Sequence, residues 1–188
     1  MRVIAGKYRS RPLRSLRGMD IRPTADRLRE TLFNVLTAGR PQALESTIWI
    51  DLYAGTGAVG IEALSRGAAK VYFVESSKEA ADLIRKNLRS LGIEDGFGVL
   101  QCNTARALQK FAAQGLCADY VFLDPPYRME DAYAETLQAL SQSPILEPSG
   151  VVIAEHHKKF DPGDALGGVT RYRKLVQGDA VLSFFRSS

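Results

Sequence analysis

Cysteine is scarce. The chain has two in 188 residues, Cys102 and Cys117, and they form no Cys-x-x-Cys pair. That excludes a disulfide scaffold and a thiolate zinc site, and it suits reduced, inert thiols in a cytosolic protein. Histidine is limited to His156 and His157, with no cysteine or paired acid close by in sequence, so these two read as surface side chains rather than metal ligands. Ser76 and Ser77 lack the G-x-S-x-G context of a hydrolase nucleophile. No apolar run approaches the ~20 residues of a membrane helix. There is no internal repeat and no low-complexity tract. Acidic residues are missing from positions 1–19, which are rich in arginine. Transit peptides share that bias, but Val3-Ile4-Ala5-Gly6-Lys7-Tyr8 reads as strand and turn, not as an amphipathic helix.

What is present is an ordinary core. The apolar fraction is 45%, and the length fits one domain with a small appendage. The net charge of +4 is unevenly placed. Residues 1–40 hold ten Lys/Arg against three Asp/Glu, whereas residues 41–188 hold fifteen against eighteen. A basic segment on a mildly acidic body implies a polyanionic partner. The division is therefore drawn between 1–40, a basic arm and helix, and 41–188, the body of the fold.

Residues 2–18 read as a short basic β-hairpin or arm, broken by Arg22-Pro23-Thr24. Thr24 is expected to cap a helix over about 25–37, with Leu28, Leu32, Val35 and Leu36 on one face. Strands then alternate with helices: strand 48–53, helix 57–66, strand 70–75, helix 77–91, strand 98–102, helix 104–114, strand 119–123, helix 130–141 and strand 150–155. Ser76 and Glu79 suggest a capping box for the helix at 77. This alternation predicts an α/β fold, a mostly parallel sheet with helices on both faces. Strands at 169–176 and 180–185 flank Gln177-Gly178-Asp179, and so tight a connection must be antiparallel.

Two motifs carry chemistry. The first is Asp124-Pro125-Pro126-Tyr127, which follows the apolar run Tyr120–Leu123. Proline has no N–H, so this rim offers carbonyl acceptors without competing donors. Asp124 adds a charged acceptor, and Tyr127 a flat surface for a planar ring. The rim suits a nucleobase with an exocyclic amine. Arg128 beside it is positioned for phosphate, as an ordinary surface arginine would also be. Lys158-Lys159 reads as a solvated loop.

The second motif is Ala54-Gly55-Thr56-Gly57-Ala58-Val59-Gly60, after a buried strand. Its G-x-G-x-x-G match fits NAD as well as other adenosine cofactors. Glu75, twenty residues after Gly55, is placed to accept ribose hydroxyls. Asp51 separates the candidates: an acid beside a pyrophosphate is repulsive, and beside a sulfonium or ammonium it is attractive. S-adenosylmethionine is favoured. Asn103, followed by Thr104, stands at the third strand end, where it meets an adenine edge or simply caps a helix.

Asp51-Leu52-Tyr53-Ala54-Gly55-Thr56-Gly57 resembles the cofactor motif of class I methyltransferases, and Asp124–Tyr127 resembles the catalytic motif of enzymes that methylate nucleobase amines. Arg2-Val3-Ile4-Ala5-Gly6, Arg22-Pro23-Thr24, Asp26–Asn34 and Glu62-Ala63-Leu64-Ser65-Arg66-Gly67 resemble the bacterial 16S ribosomal RNA guanine-N2 methyltransferase family, in the same order and across most of residues 2–127. The resemblance implies a Rossmann-like, seven-stranded, mostly parallel sheet with an antiparallel C-terminal strand. It assigns Asp51, Gly55 and Gly57 to the methionine part of S-adenosylmethionine, Glu75 to the ribose and Asn103 to the adenine edge, with Tyr53 and Thr104 also in the cofactor site. Position 103 is more usually aspartate in methyltransferases. Asp124 and the Pro125 carbonyl would hold the target amine, Tyr127 would stack on the base, and Arg9, Arg11, Arg14 and Arg128 would contact RNA. The implied partner is 16S rRNA in an assembling small subunit, the implied state a cytoplasmic monomer, and no metal is needed. The rival readings are a DNA adenine-N6 or cytosine-N4 methyltransferase, an NAD-dependent oxidoreductase, and a non-catalytic RNA-binding module.

Overall fold

The computed structural model describes residues 1–15, 23–126, 129–166 and 168–187, with only the backbone of 23–25 and 166. Its elements run α1 (Pro23–Thr37), β1 (Ile48–Leu52), α2 (Ala58–Ser65), β2 (Lys70–Glu75), α3 (Lys78–Ser90), β3 (Phe97–Gln101), α4 (Thr104–Ala113), β4 (Ala118–Leu123), α5 (Glu130–Ser141), β5 (Leu146–His157), β6 (Ala165–Leu166), β7 (Val169–Gln177) and β8 (Ala180–Ser187).

One sheet has the order β3-β2-β1-β4-β5-β8-β7-β6. The first five strands are parallel, and β8 inserts antiparallel between β5 and β7. The two-residue β6 adds a short eighth strand at one edge. The fold is the predicted Rossmann-like one. Strand side chains alternate between faces. Trp49, Phe73, Phe122, Ile153 and Leu182 enter one buried cluster with α1, α2 and α3. Ile50, Leu52, Val121, Leu123, Val152 and Ala154 enter the other, with α4 and α5. Both faces are covered, which explains why the strands read as near-continuous apolar runs.

Three local expectations change. The cap of α3 is Ser77, whose hydroxyl accepts from Ala80 N at 3.3 Å; Ser76 lies one residue too early, so the Ser76–Glu79 box does not form. α1 begins at Pro23, two residues before the expected start, and the capping expectation for the Thr24 side chain lies outside what is described. His156 is not at the surface. It is fully buried on β5, with Nε2 2.9 Å from Ser183 Oγ on β8, and burial lowers its pKa.

α2 packs unusually close to the sheet. A Cβ on Gly60 would lie 2.4 Å from Phe73 Cε1 and 2.8 Å from Val71 Cγ1. Only glycine allows that approach, which brings the helix N-terminus up to the end of β1.

Candidate active site

The sheet order reverses direction between β1 and β4, the place where open α/β sheets form a crevice. Here the crevice is about 980 Å³ and runs along the C-terminal strand ends. β1 contributes Asp51 and residues 53–56 of the turn that follows, β2 contributes Glu75, and Asn103 and Thr104 come from the β3–α4 junction; Gly57 ends the turn without lining the crevice. Asp124 and Pro125 come from the end of β4, and Glu155 from β5. The two distant motifs therefore meet in one cavity. Arg9, Arg11 and Arg14 are exposed on the arm and do not line it, although Met1 and Ser15 of the arm do. Tyr127 and Arg128 lie outside the described residues.

The turn after β1 is tightly specified. Tyr53, Gly55 and Gly57 have φ of 60°, 54° and 77°. Tyr53 is a bulky residue in the left-handed region, a conformation typical of sites that hold their shape for function. Its hydroxyl lies 3.2 Å from Thr136 Oγ1 on α5. Glu75 ties this turn to the next: one oxygen accepts from Gly55 N at 2.9 Å, the other from Ser77 N at 2.8 Å. Each carboxylate oxygen has a second lone pair for a further donor. Asn103 caps α4, its Oδ1 accepting from Arg106 N at 2.9 Å.

Acids dominate the electrostatics. Asp51 is 2% exposed and accepts from Gly60 N at 2.9 Å. Burial raises its pKa well above the usual carboxylate range; the Gly60 hydrogen bond opposes this, and the charges of Asp124 and Glu75 add to it. Burial pushes Asp124 up to about 7. Glu155 is raised by burial first and by Asp124 second, with Arg29 acting the other way. No basic side chain forms an ion pair with Asp51, Asp124 or Glu155 among the described residues. Burial favours the neutral form of these carboxyls; a cation brought beside them would favour the charged form, and a pyrophosphate would oppose it. The residues of the cavity fit S-adenosylmethionine, with acid at the strand ends for sulfonium and ammonium and Glu75 for the ribose.

Glu155 and Arg29 are among the crevice residues to which the sequence alone assigned no role. Glu155 appears there only as the end of a strand. Arg29 belongs to a recognised motif, yet nothing in one dimension shows that it is buried, donates to Arg2 O at 2.5 Å and Asp26 Oδ1 at 3.0 Å, and lines the crevice.

The arm is seated on the catalytic body rather than hanging free. Arg2 and Pro12 form an antiparallel bridge, and Val3 and Leu13 enter the α1–α3 cluster. Glu62 on α2 is fully buried and accepts from Ile4 N at 2.8 Å, Ala5 N at 3.0 Å and Arg66 Nε at 2.8 Å. A Cβ on Gly6, where φ is +80°, would collide with Ser65 O at 1.8 Å. Asn87 of α3 exchanges hydrogen bonds with Arg14 N and O and donates to Thr56 O at 3.0 Å. One amide thus joins the arm to the cofactor turn.

This architecture, with its acidic crevice, defines a class I S-adenosylmethionine-dependent methyltransferase. A solved methyltransferase structure complexed with S-adenosylhomocysteine has the same fold, with a TM-score of 0.68 at 15% identity over 88% of this chain and 50% of that one. The family model described as Conserved hypothetical protein 95 matches residues 1–186, and the chain belongs to that family. Ribosomal RNA small subunit methyltransferase D of Escherichia coli is 34% identical over 99% of this chain and 89% of its own length. The solved structure of yhhF from Escherichia coli superposes with a TM-score of 0.83 at 30% identity, covering 100% of this chain and 98% of that one. No helix among the described residues is long and apolar enough to cross a membrane.

Proposed function

We propose that this protein methylates the exocyclic N2 amine of a guanine in 16S ribosomal RNA, acting as a cytoplasmic monomer on an assembling small subunit. The observation that carries the reading is the meeting of Asp124 and Pro125 with the Asp51 turn in one crevice. The similarity to small subunit methyltransferase D supports ribosomal RNA as the substrate.

Asp51, Tyr53, Gly55 and Gly57 would hold the methionine part of the cofactor, Glu75 the ribose, and Asn103 with Thr104 the adenine edge. When bound, S-adenosylmethionine supplies a methyl group already activated for transfer. The guanine amine is a poor nucleophile because its lone pair is delocalised into the ring. Asp124 and the Pro125 carbonyl accept hydrogen bonds from its two N–H groups, which returns electron density to nitrogen. They also fix its orientation, a large part of the rate gain. Asp124, with its pKa near 7, is matched to take up the departing proton at neutral pH. Tyr127 would stack on the exposed base, a contact worth about 1–3 kcal/mol.

Tritiated-methyl transfer to bulk RNA, DNA and protein, followed by nucleoside analysis, tests the reading. Label in N2-methylguanosine is the expected result. Label in N6-methyladenine or N4-methylcytosine of DNA would replace it with the DNA-methyltransferase reading.

Arg9, Arg11, Arg14 and Arg128 would contact RNA phosphates. Arg9, Arg11 and Arg14 are exposed, and Arg11 Nη2 donates to Ser90 O at 3.1 Å, which fixes its direction. Reversing the three to glutamate should weaken RNA affinity and flatten its dependence on salt, because each lost phosphate contact removes roughly one released counterion. Filter binding at several salt concentrations reads both quantities. An unchanged slope would remove the arm from the footprint.

A further inference from the structure

We infer that Glu155 is the base-selecting residue of this site: it accepts the N1–H of guanine while Asp124 holds the adjacent N2 amine. The inference rests on the guanine-N2 reading and adds to it the means by which guanine is chosen.

The placement comes from the sheet register. Leu123 of β4 pairs with Ala154 of β5, so Asp124 and Glu155 are the next residues on adjacent parallel strands. Neighbouring strands are about 4.8 Å apart. Side-chain alternation puts both acids on the face of Phe122 and Ile153, toward α1, and both line the crevice. The backbone at Glu155 is fixed, since Tyr133 Oη donates to its carbonyl at 2.7 Å. Burial first and the charge of Asp124 second push the Glu155 carboxyl toward its neutral form; Arg29 opposes them, and an N–H donor from the base would add to that opposition. The methyl-transfer steps above give this second acid no task.

Base chemistry supplies the task. The exocyclic amines of adenine and cytosine are flanked on the pairing edge by a ring nitrogen that only accepts. In guanine the nitrogen flanking the amine on that edge, N1, bears a hydrogen. A carboxylate next to the amine-holding acid therefore finds a donor in guanine and a repelling lone pair in the other two. A buried site built to receive a hydrogen bond strongly rejects a base that lacks the donor.

2-Aminopurine is the discriminating probe, because it keeps the 2-amine and replaces N1–H with an acceptor. A synthetic segment carrying guanosine or 2-aminopurine riboside at the methylated position is ligated into the rRNA. It is then assembled into whichever form the wild-type enzyme methylates. The wild type should prefer guanosine by at least about 100-fold in kcat/KM. Glu155→Gln, whose amide can donate to the 2-aminopurine N1, should narrow the ratio to within about tenfold, with S-adenosylmethionine affinity unchanged by calorimetry. Equal use of both substrates by the wild type overturns the inference whether or not the variant folds. An unchanged ratio in a folded variant also overturns it. A wild-type product other than N2-methylguanosine fails the underlying reading instead, so the two failures are separable.

Discussion

Asp124→Asn should lose methyl transfer by about 10²–10⁴-fold and at the same time be more heat-stable than the wild type at pH 8. Both effects come from one carboxyl. The loss follows from its role: asparagine can still accept a hydrogen bond, but it cannot take a proton or push density onto the amine. The gain follows from linkage. Burial raises the Asp124 pKa from 3.8 to about 7, so the native state binds this proton more tightly than the unfolded chain does. Stability then falls as pH rises from about 4 to about 7, and above that window the full cost of the ionised group remains. Asparagine removes the cost without changing the shape. The variant's melting temperature should exceed the wild type's at pH 8, and the difference should shrink toward pH 4. Cofactor affinity should be spared. Equal melting curves at both pH values would show that Asp124 is not held at a desolvation penalty, and near-normal turnover would remove it from the chemistry.

Glu62→Ala should be the most damaging substitution outside the crevice. The carboxylate is fully buried and receives two arm amides and the Arg66 guanidinium, with Arg29 Nε at 3.9 Å. Removing it strands Ile4 N, Ala5 N and the Arg66 guanidinium at once and takes a counter-charge from Arg29, which keeps its bonds to Arg2 O and Asp26. Breaking a buried pair in this way costs about 3–5 kcal/mol. For a domain of this size that corresponds to a fall in Tm on the order of 10 °C. RNA affinity should drop as well, because the arm loses its seat while keeping its charge. Thermal denaturation and RNA binding check the two parts. A Tm within a degree of the wild type would mean that Val3, Leu13 and the Asn87–Arg14 bonds hold the arm without Glu62.

Much of this was legible in one dimension. Alternating apolar runs place β1 to β5, and Asp124-Pro125 is visible as a rim because proline at a strand end is chemically conspicuous. Glu155 was not, since its importance depends on which strand lies beside β4, a fact of topology. His156 fails for the same reason: the serine that accommodates its burial is 27 residues away, on a strand that doubles back between β5 and β7. Glu62 belongs to a recognised motif, but a signature does not say what its acid holds. The Ser77 cap was missed by one residue, because both serines satisfy the same local preference and only backbone geometry selects between them.

The reversal of strand order between β1 and β4 divides the labour of this molecule. Everything assigned to the cofactor hangs from β1, β2 and β3, and everything assigned to the base hangs from β4 and β5. Methyl supply and target choice are therefore separately tunable. Exchanging residues at the tips of β4 and β5 is a route to new acceptors that leaves the donor half of the machine intact.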